Sequence, residues 1–245
     1  IKDIYSDPEL YEAAHWWKTN DIEFIADAAA ELGGPVLEMA AGTGRLALPI
    51  IEQGINYTGI ELSSAFVKFA RKKLAKFRDL AQVLEGDMRN VDLDQQFQFI
   101  FIGFNSIFHL LNNEDVSSFF SCVYSHLLDD GLFLIDAFVP HPIVLYRAKQ
   151  KYYVMEFDWP SGKHCIVNET NHYDSDSQIN HIHWYFNTSG ENETDEYRFD
   201  MHMIFPDTMD RLLTEAGFVI RDKYGDYDKI SLDTESKLQI YVCGK

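Results

Sequence analysis

The chain has 245 residues, 46% of them hydrophobic and 24% charged, a composition typical of one globular domain or of one domain with an elaboration. Its formal net charge of −18 argues against a nucleic-acid partner, because such proteins need basic surfaces to neutralise phosphates. No apolar run approaches the roughly 18 residues that span a bilayer, and the N-terminus lacks a signal-peptide pattern. With three widely separated cysteines, we expect a soluble cytoplasmic protein that binds neither nucleic acid nor membrane.

Strand and helix patterns alternate over the first 150 residues. Strands are predicted at residues 35–39, 57–61, 81–85, 97–102 and 131–136, with helical periodicity between most of them. This order predicts an α/β fold with a mostly parallel sheet and helices on both faces. In such folds, ligands bind at the carboxyl ends of the strands.

The pattern changes between residues 151 and 205. Four strands are predicted, at 152–159, 164–173, 179–187 and 196–205, and their short spacing indicates an antiparallel meander. A helix capped by Asp207 or Thr208 and strands at 218–224 and 238–243 then resume the α/β pattern. We therefore expect a domain formed by residues 1–150 and 206–245, with residues 151–205 inserted as an antiparallel β region.

A glycine-rich turn follows the first predicted strand, with Glu38 before it and Gly42 and Gly44 within it. Glycine in such a turn lets a ligand approach the backbone, because a β-carbon would block the approach. The turn also fits the Gly-x-Gly-x-x-Gly/Ala fingerprint of dinucleotide-binding folds. An NAD(P)-dependent oxidoreductase is therefore an alternative, as is a non-catalytic binding protein of the same fold.

Acidic residues occur at the ends of two later strands. Glu61 ends the second strand, 19 residues after Gly42, where a carboxylate can accept hydrogen bonds from both ribose hydroxyls. Asp87 follows the third strand and can accept a hydrogen bond from an adenine amino group. The backbone N–H of Met88 can donate to a ring nitrogen of the same base. Asp87 can equally cap a helix. Glu38 favours a cationic cofactor, because an acid there would repel a pyrophosphate.

With these three strand ends, the chain resembles the class I S-adenosylmethionine-dependent methyltransferases. Residues 38–44 resemble the family's first motif, Glu61 its ribose acid, residues 86–88 its adenine motif, and residues 104–110 the segment that flanks the methyl group. The resemblance covers about residues 5–140 and the closing helix and strand pair. It implies a Rossmann-like, doubly wound, seven-stranded methyltransferase sheet with S-adenosylmethionine as cofactor.

The resemblance also implies a set of cofactor-binding residues. These are Tyr11, Lys18, Glu38, Ala40, Gly42, Gly44, Arg45, Glu61, Leu62, Asp87, Met88, Phe104 and Asn105. Tyr11 and Lys18 belong to an N-terminal stretch that resembles the family's lid segment, where they would bind the cofactor carboxylate. Simple packing of a terminal helix explains these two residues equally well.

The inserted strands resemble those of small-molecule N-methyltransferases of the aminosugar N,N-dimethyltransferase and glycine/sarcosine types, in which the inserted sheet covers the acceptor pocket. We therefore expect a small-molecule acceptor, methylated at an amine nitrogen and bound between residues 105–109 and the inserted strands. An amine must be neutral when it attacks, so a base is useful, and His109 is the first candidate and Tyr11 the second.

Five histidines occur in the inserted region, and His181 and His183 would share one strand face. Metals use such a geometry. Because no carboxylate or cysteine partner is evident from the sequence, we predict no metal site. The sequence sets no oligomeric state.

Overall fold

The structure of the protein is a computed structural model, which describes residues 2–159, 161–191 and 194–245. The helices are α1 Pro8–Ala14, α2 Ile22–Leu32, α3 Ala47–Ile51, α4 Ser64–Lys73, α5 Asn113–His126, α6 Pro142–Leu145 and α7 Pro206–Glu215. The strands are β1 Val36–Met39, β2 Tyr57–Glu61, β3 Ala81–Glu85, β4 Phe97–Ile102, β5 Leu127–Phe138, β6 Tyr152–Asp158, β7 His164–Asp174, β8 Ile179–Thr188, β9 Asp195–His202, β10 Val219–Tyr224 and β11 Leu238–Gly244.

The chain divides into two compact units. The larger unit comprises Asn20–Val139 and Ile204–Lys245, and the smaller comprises Ile1–Thr19 and Pro140–Met203. The N-terminal segment therefore groups with the meander. The functional division expected from the sequence, a cofactor domain and a cover for the acceptor, stays a prediction.

Among the described residues, seven strands form the sheet of the larger unit, in the order β10–β11–β5–β4–β1–β2–β3. Strands β1 to β5 pair in parallel, whereas β11 runs antiparallel to both β5 and β10. The carboxyl ends of β2, β1 and β4 consequently lie side by side at one edge of the sheet. This edge, which we call the carboxyl edge, carries the turns in which the sequence places the cofactor residues.

Helices cover both faces of this sheet. Leu134 of β5 packs in a core with α2, α3 and α4. The preceding residue, Phe133, instead contacts Phe119 of α5 and Phe218. Neighbouring side chains in a strand point to opposite faces, so these helices lie on opposite sides of the sheet. The expected doubly wound, Rossmann-like fold class is confirmed.

The smaller unit is built on an antiparallel sheet whose described strands run in the order β6–β7–β8–β9. Its N-terminal segment packs Ile4, Leu10 and Ala14 against apolar side chains of the sheet such as Phe157 and Phe186. Several of the inserted aromatic residues thus serve packing. Trp159 and Trp184 lie against the same core, while the Tyr153 side chain is exposed.

Three elements differ from the sequence prediction. Helix α2 is absent from the sequence prediction, and strand β5 begins at Leu127, four residues before the predicted strand at 131–136. The cap assigned to Asp207 or Thr208 is wrong: α7 starts at Pro206, with Phe205 at the N-cap position. Proline is favoured in the first helical turn because its missing N–H is not needed there.

None of the described residues forms a helix that is long and apolar enough to cross a membrane.

We predict that Gly59→Ala destabilises the larger unit. A β-carbon on this β2 residue would lie 2.7 Å from the Ala41 β-carbon and 2.8 Å from the Tyr57 hydroxyl oxygen, so the backbone of the glycine turn must shift. Such overpacking costs about 1–3 kcal/mol in free energy of unfolding, measurable by urea denaturation. In the control variant Gly86→Ala, the new β-carbon meets its nearest neighbour at 3.5 Å, and an unchanged midpoint is expected. Equal loss in both variants would contradict the packing argument.

Candidate active site

The turn between β1 and α3 has the backbone conformation of a ligand cradle. Ala40, Gly42 and Gly44 all have positive φ angles, of 58°, 57° and 72°. A β-carbon built on Gly42 would meet no atom within 4 Å, so open space borders the turn there. A β-carbon on Gly44 would instead lie 3.5 Å from Ala70 of α4, so this glycine borders the interior packing.

Glu61 joins the end of β2 to this turn. One carboxylate oxygen accepts a hydrogen bond from the Gly42 N–H at 2.8 Å, and the other accepts from the Ser63 N–H at 2.7 Å. Burial raises the pKa of Glu61, and these hydrogen bonds partly oppose that rise. The adjacent Leu62 is 69% exposed, an apolar side chain beside a half-buried acid. The arrangement offers an oxygen acceptor and an apolar surface next to the open turn.

Glu38 differs from its expected character. The side chain is buried and accepts a hydrogen bond from the Tyr57 hydroxyl at 2.5 Å. Burial raises the pKa of Glu38 to about 8, although Tyr57 and Arg45 act in the opposite direction. At neutral pH the carboxyl group is therefore mostly protonated. The charge argument against a pyrophosphate, which treated Glu38 as an ionised acid facing the ligand, does not hold in this structure.

Arg45 contacts an acid that the sequence analysis did not identify. Its guanidinium group binds both carboxylate oxygens of Asp21 at 2.7 Å, and the Asp21 side chain is buried. The guanidinium carbon also lies 5.7 Å from the centre of the Phe104 ring. Arg45 thus connects the glycine turn to the residues that follow β4.

Asp87 lies in a charged group beyond β3. Arg89 donates to both of its carboxylate oxygens and also to Asp115 at 2.8 Å. The Arg89 guanidinium lowers the pKa of Asp87, which therefore stays ionised. Asp87 caps no helix; its oxygen accepts from the Arg89 N–H within a turn, next to the half-buried Met88. An adenine amino group would share this carboxylate with Arg89.

The segment after β4 leaves the sheet through Phe104 and Asn105, both in the left-handed region with φ of 49° and 64°. A one-turn 3-10 helix, Ser106–His109, follows and carries the half-buried His109. Beside it lies Asp136 of β5, which is 2% exposed and accepts a hydrogen bond from the Tyr227 hydroxyl.

The remaining candidates, Tyr11 and Lys18, belong to the smaller unit. Tyr11 packs against the core of that unit, with its ring 4.2 Å from the His15 ring. Lys18 is buried, at 6% exposure. Their proposed roles at the cofactor carboxylate remain predictions.

The histidines of the insertion do have carboxylate partners. His181 lies 2.7 Å from Asp200, and His183 lies 3.1 Å from Glu196, each across the β8–β9 ladder. Their register could not be deduced from the sequence. Within the described residues, no group of three or more histidine, cysteine or acidic side chains has a geometry that could hold a metal ion.

Sequence reasoning missed four side chains of this region: Asp21, Tyr57, Asp136 and Tyr227. The rule that strand ends carry the site would have found Asp136. The other three gave no local signal, because Asp21 precedes the unpredicted α2, Tyr57 lies inside a strand, and Tyr227 lies in a loop.

Comparison with known proteins agrees with this geometry. A family model described as "Methyltransferase domain" matches residues 36–131. The glycine/sarcosine/dimethylglycine N-methyltransferase of Actinopolyspora halophila is 26% identical over 238 residues, which is 94% of this chain and 40% of that protein. Matches cover only 40–42% of the length of three of the curated relatives, so the chain spans less than half of each.

Two solved structures share the fold over nearly the whole chain. The CcbJ methyltransferase of Streptomyces caelestis has a TM-score of 0.83 at 21% identity, covering 99% of this chain and 98% of its own. CalS10, an amino pentose methyltransferase of Micromonospora echinaspora determined with bound S-adenosylmethionine, has a TM-score of 0.74 at 16% identity, covering 96% and 95%.

Residues 36–131 belong to a methyltransferase domain, and the fold is that of the class I S-adenosylmethionine-dependent methyltransferases. The domain match selects this interpretation of the glycine turn over the oxidoreductase alternative. The enzyme class and cofactor that the sequence implied are confirmed for this domain.

The residues at the carboxyl edge fit that cofactor. The open space beside Gly42 can admit a nucleoside, and Glu61 offers carboxylate oxygens there for hydroxyl groups. Each oxygen already accepts one backbone N–H and retains capacity for another donor. The assignment of individual residues to cofactor groups remains a prediction.

We predict that Glu61→Ala weakens S-adenosylmethionine binding. Leaving the partners of a charged acceptor unsatisfied costs about 1.5–3 kcal/mol, or roughly 10- to 150-fold in the dissociation constant. Titration calorimetry measures the change. Glu85→Ala is a matched control, because Glu85 is an exposed glutamate directly opposite Glu61 in the β2–β3 ladder. Unchanged affinity in a folded Glu61→Ala protein would remove Glu61 from the site.

We also predict a pH dependence of stability from Glu38. Between its ordinary pKa of 4.5 and the folded value of about 8, the native state retains a proton that the unfolded state has lost. The free energy of unfolding therefore falls as pH rises through this window. Glu38→Gln carries no titrating group, so its stability relative to wild type should increase from about pH 5 to pH 8 in urea denaturation. A pH-independent difference between the two proteins would contradict the raised pKa.

Proposed function

We propose that the protein transfers a methyl group from S-adenosylmethionine to the amine nitrogen of a small polar molecule. The observation that carries the proposal is the common edge of the sheet, where the Gly42 turn, Glu61 and the segment carrying His109 follow the neighbouring strands β1, β2 and β4. A donor bound at the glycine turn and an acceptor bound near the β4 exit would then be neighbours. Proximity is the main requirement of a methyl transfer from an activated donor.

Two further observations support an amine acceptor. The similarity to the Actinopolyspora halophila N-methyltransferase extends over 94% of this chain, well beyond residues 36–131 that the domain model matches. The net charge of −18 favours the approach of a protonated amine and disfavours polyanionic substrates. The amine must lose a proton before it attacks, and His109 is the proposed acceptor of that proton.

Each part of the proposed site has a defined task. S-adenosylmethionine, when bound, supplies a methyl group activated by its sulfonium. Gly42 and Glu61 would hold the nucleoside, Asp87 with the Met88 backbone the adenine, and the residues after β4 would align the acceptor. In the smaller unit, Tyr11 and Lys18 are proposed to bind the cofactor carboxylate, with Tyr11 as a second candidate base.

The proposal predicts that the protein releases S-adenosylhomocysteine when incubated with S-adenosylmethionine and an amine from a panel of amino acids and aminosugars. Parallel reactions with hydroxyl and carboxyl acceptors test the chemical class, and mass spectrometry of the products identifies the methylated atom. Turnover only with a protein or RNA substrate would overturn the proposal. Binding without turnover on any acceptor would favour the non-catalytic alternative.

For His109→Ala we predict a turnover about 10²-fold lower, the usual contribution of a general base, with S-adenosylmethionine affinity retained. His164→Ala removes an exposed histidine of the smaller sheet and should have wild-type activity. Full activity of His109→Ala would leave the methyltransferase assignment intact but remove the proposed base.

A further inference from the structure

The segment that leaves β4 has an unfavourable backbone conformation. Phe104 and Asn105 are consecutive, carry side chains, and both have positive φ. A left-handed conformation is unfavourable for a residue with a β-carbon such as Phe104, although asparagine adopts it more readily. Such a conformation persists only when neighbouring groups hold it in place.

Three hydrogen bonds from β5 hold this segment. The Asn105 side-chain oxygen accepts from the Phe138 N–H at 2.8 Å, and the Asn105 N–H donates to the Asp136 carbonyl at 3.1 Å. The third bond uses a side chain: the Phe104 N–H donates to the Asp136 carboxylate at 3.3 Å. Because Ile102 pairs with Ile135, the β4–β5 ladder itself places Asp136 beside the β4 exit.

The Asp136 carboxylate has a second partner from a distant part of the chain. The Tyr227 hydroxyl lies 3.0 and 2.9 Å from its two oxygens, and Tyr227 belongs to the loop between β10 and β11. That loop is itself hydrogen-bonded, since Asp226 accepts from the N–H groups of Asp228 and Ile230 at 3.0 Å. The Tyr227 ring also packs 5.6 Å from the Phe24 ring of α2. Tyr227 is therefore a fixed donor.

From these contacts we infer that Asp136 and Tyr227 are positioning residues for methyl transfer: Tyr227 orients the Asp136 carboxylate, which holds the Phe104–Asn105 backbone where it aligns the acceptor. This inference rests on the proposed function. It adds two residues, one from β5 and one from the β10–β11 loop, to the candidates that the sequence motifs named.

Although the resemblance implied a cofactor contact for Phe104 and Asn105, the proposed function has these residues align the acceptor. Asp136 and Tyr227 therefore act on the β4 exit and not on the glycine turn. Removing either contact should loosen Phe104 and Asn105 while leaving Gly42 and Glu61 in place. Turnover should therefore fall by about 10- to 100-fold, the effect of losing a hydrogen bond to a charged group. S-adenosylmethionine affinity should change by less than about threefold.

The test compares Asp136→Asn and Tyr227→Phe with a matched pair elsewhere in the same unit. Tyr241 donates to Asp210 at 2.8 Å, so Tyr241→Phe removes the same kind of tyrosine–aspartate bond from the contact of β11 with α7. We expect lower turnover for both site variants and wild-type turnover for Tyr241→Phe. The double variant Asp136→Asn/Tyr227→Phe should lose no more than the worse single variant, because both changes break one contact.

Hydrogen exchange provides a measurement that does not depend on activity. The Phe104 amide should exchange about 10- to 100-fold faster in Tyr227→Phe than in Tyr241→Phe, because its acceptor is no longer fixed. Equal exchange at Phe104 in these two variants would overturn the inference, as would a loss of cofactor affinity as large as the loss of turnover. If the wild-type protein methylates no amine, the proposed function fails. The hydrogen-exchange rates of the Phe104 amide still decide whether Tyr227 holds this segment.

Discussion

A buried carboxyl group must be neutralised or given hydrogen-bond donors, and this constraint organises the carboxyl edge of the larger sheet. Asp21 is buried and paired with Arg45, Glu38 is buried beside the Tyr57 hydroxyl with a raised pKa, and Asp136 accepts from Tyr227 and from the Phe104 backbone. Each partner comes from a different element of the unit. The hydrogen bonds that these acids accept therefore connect the glycine turn, β2, α2 and the β10–β11 loop.

On the proposed function, these contacts divide the edge into two regions with different tasks. Around Gly42 and Glu61 the structure is open and offers acceptor oxygens, as a ligand with hydroxyl and cationic groups requires. Around Phe104 and Asp136 it is closed and held against an unfavourable backbone conformation. A methyl transfer needs both, since the donor must enter and leave while the acceptor must be held in line.

The four-stranded meander contributes a separate core. Its apolar face packs against the N-terminal helix α1, and its other face carries His181 and His183 with acidic partners. Aromatic side chains of the insertion, such as Phe157 and Phe186, form part of this packing.

The sequence by itself determined the fold class, the strand ends and the cofactor motif, because strand and helix periodicity and a glycine turn are local properties of the chain. It also located Glu61 at the turn, since the length of one βαβ unit fixes that spacing. Only the tertiary structure showed that Glu38 is buried, which raises the pKa of its carboxyl group. It alone revealed Tyr227, which lies 91 residues from its partner Asp136, because contacts across a sheet depend on strand order and register that no local pattern records.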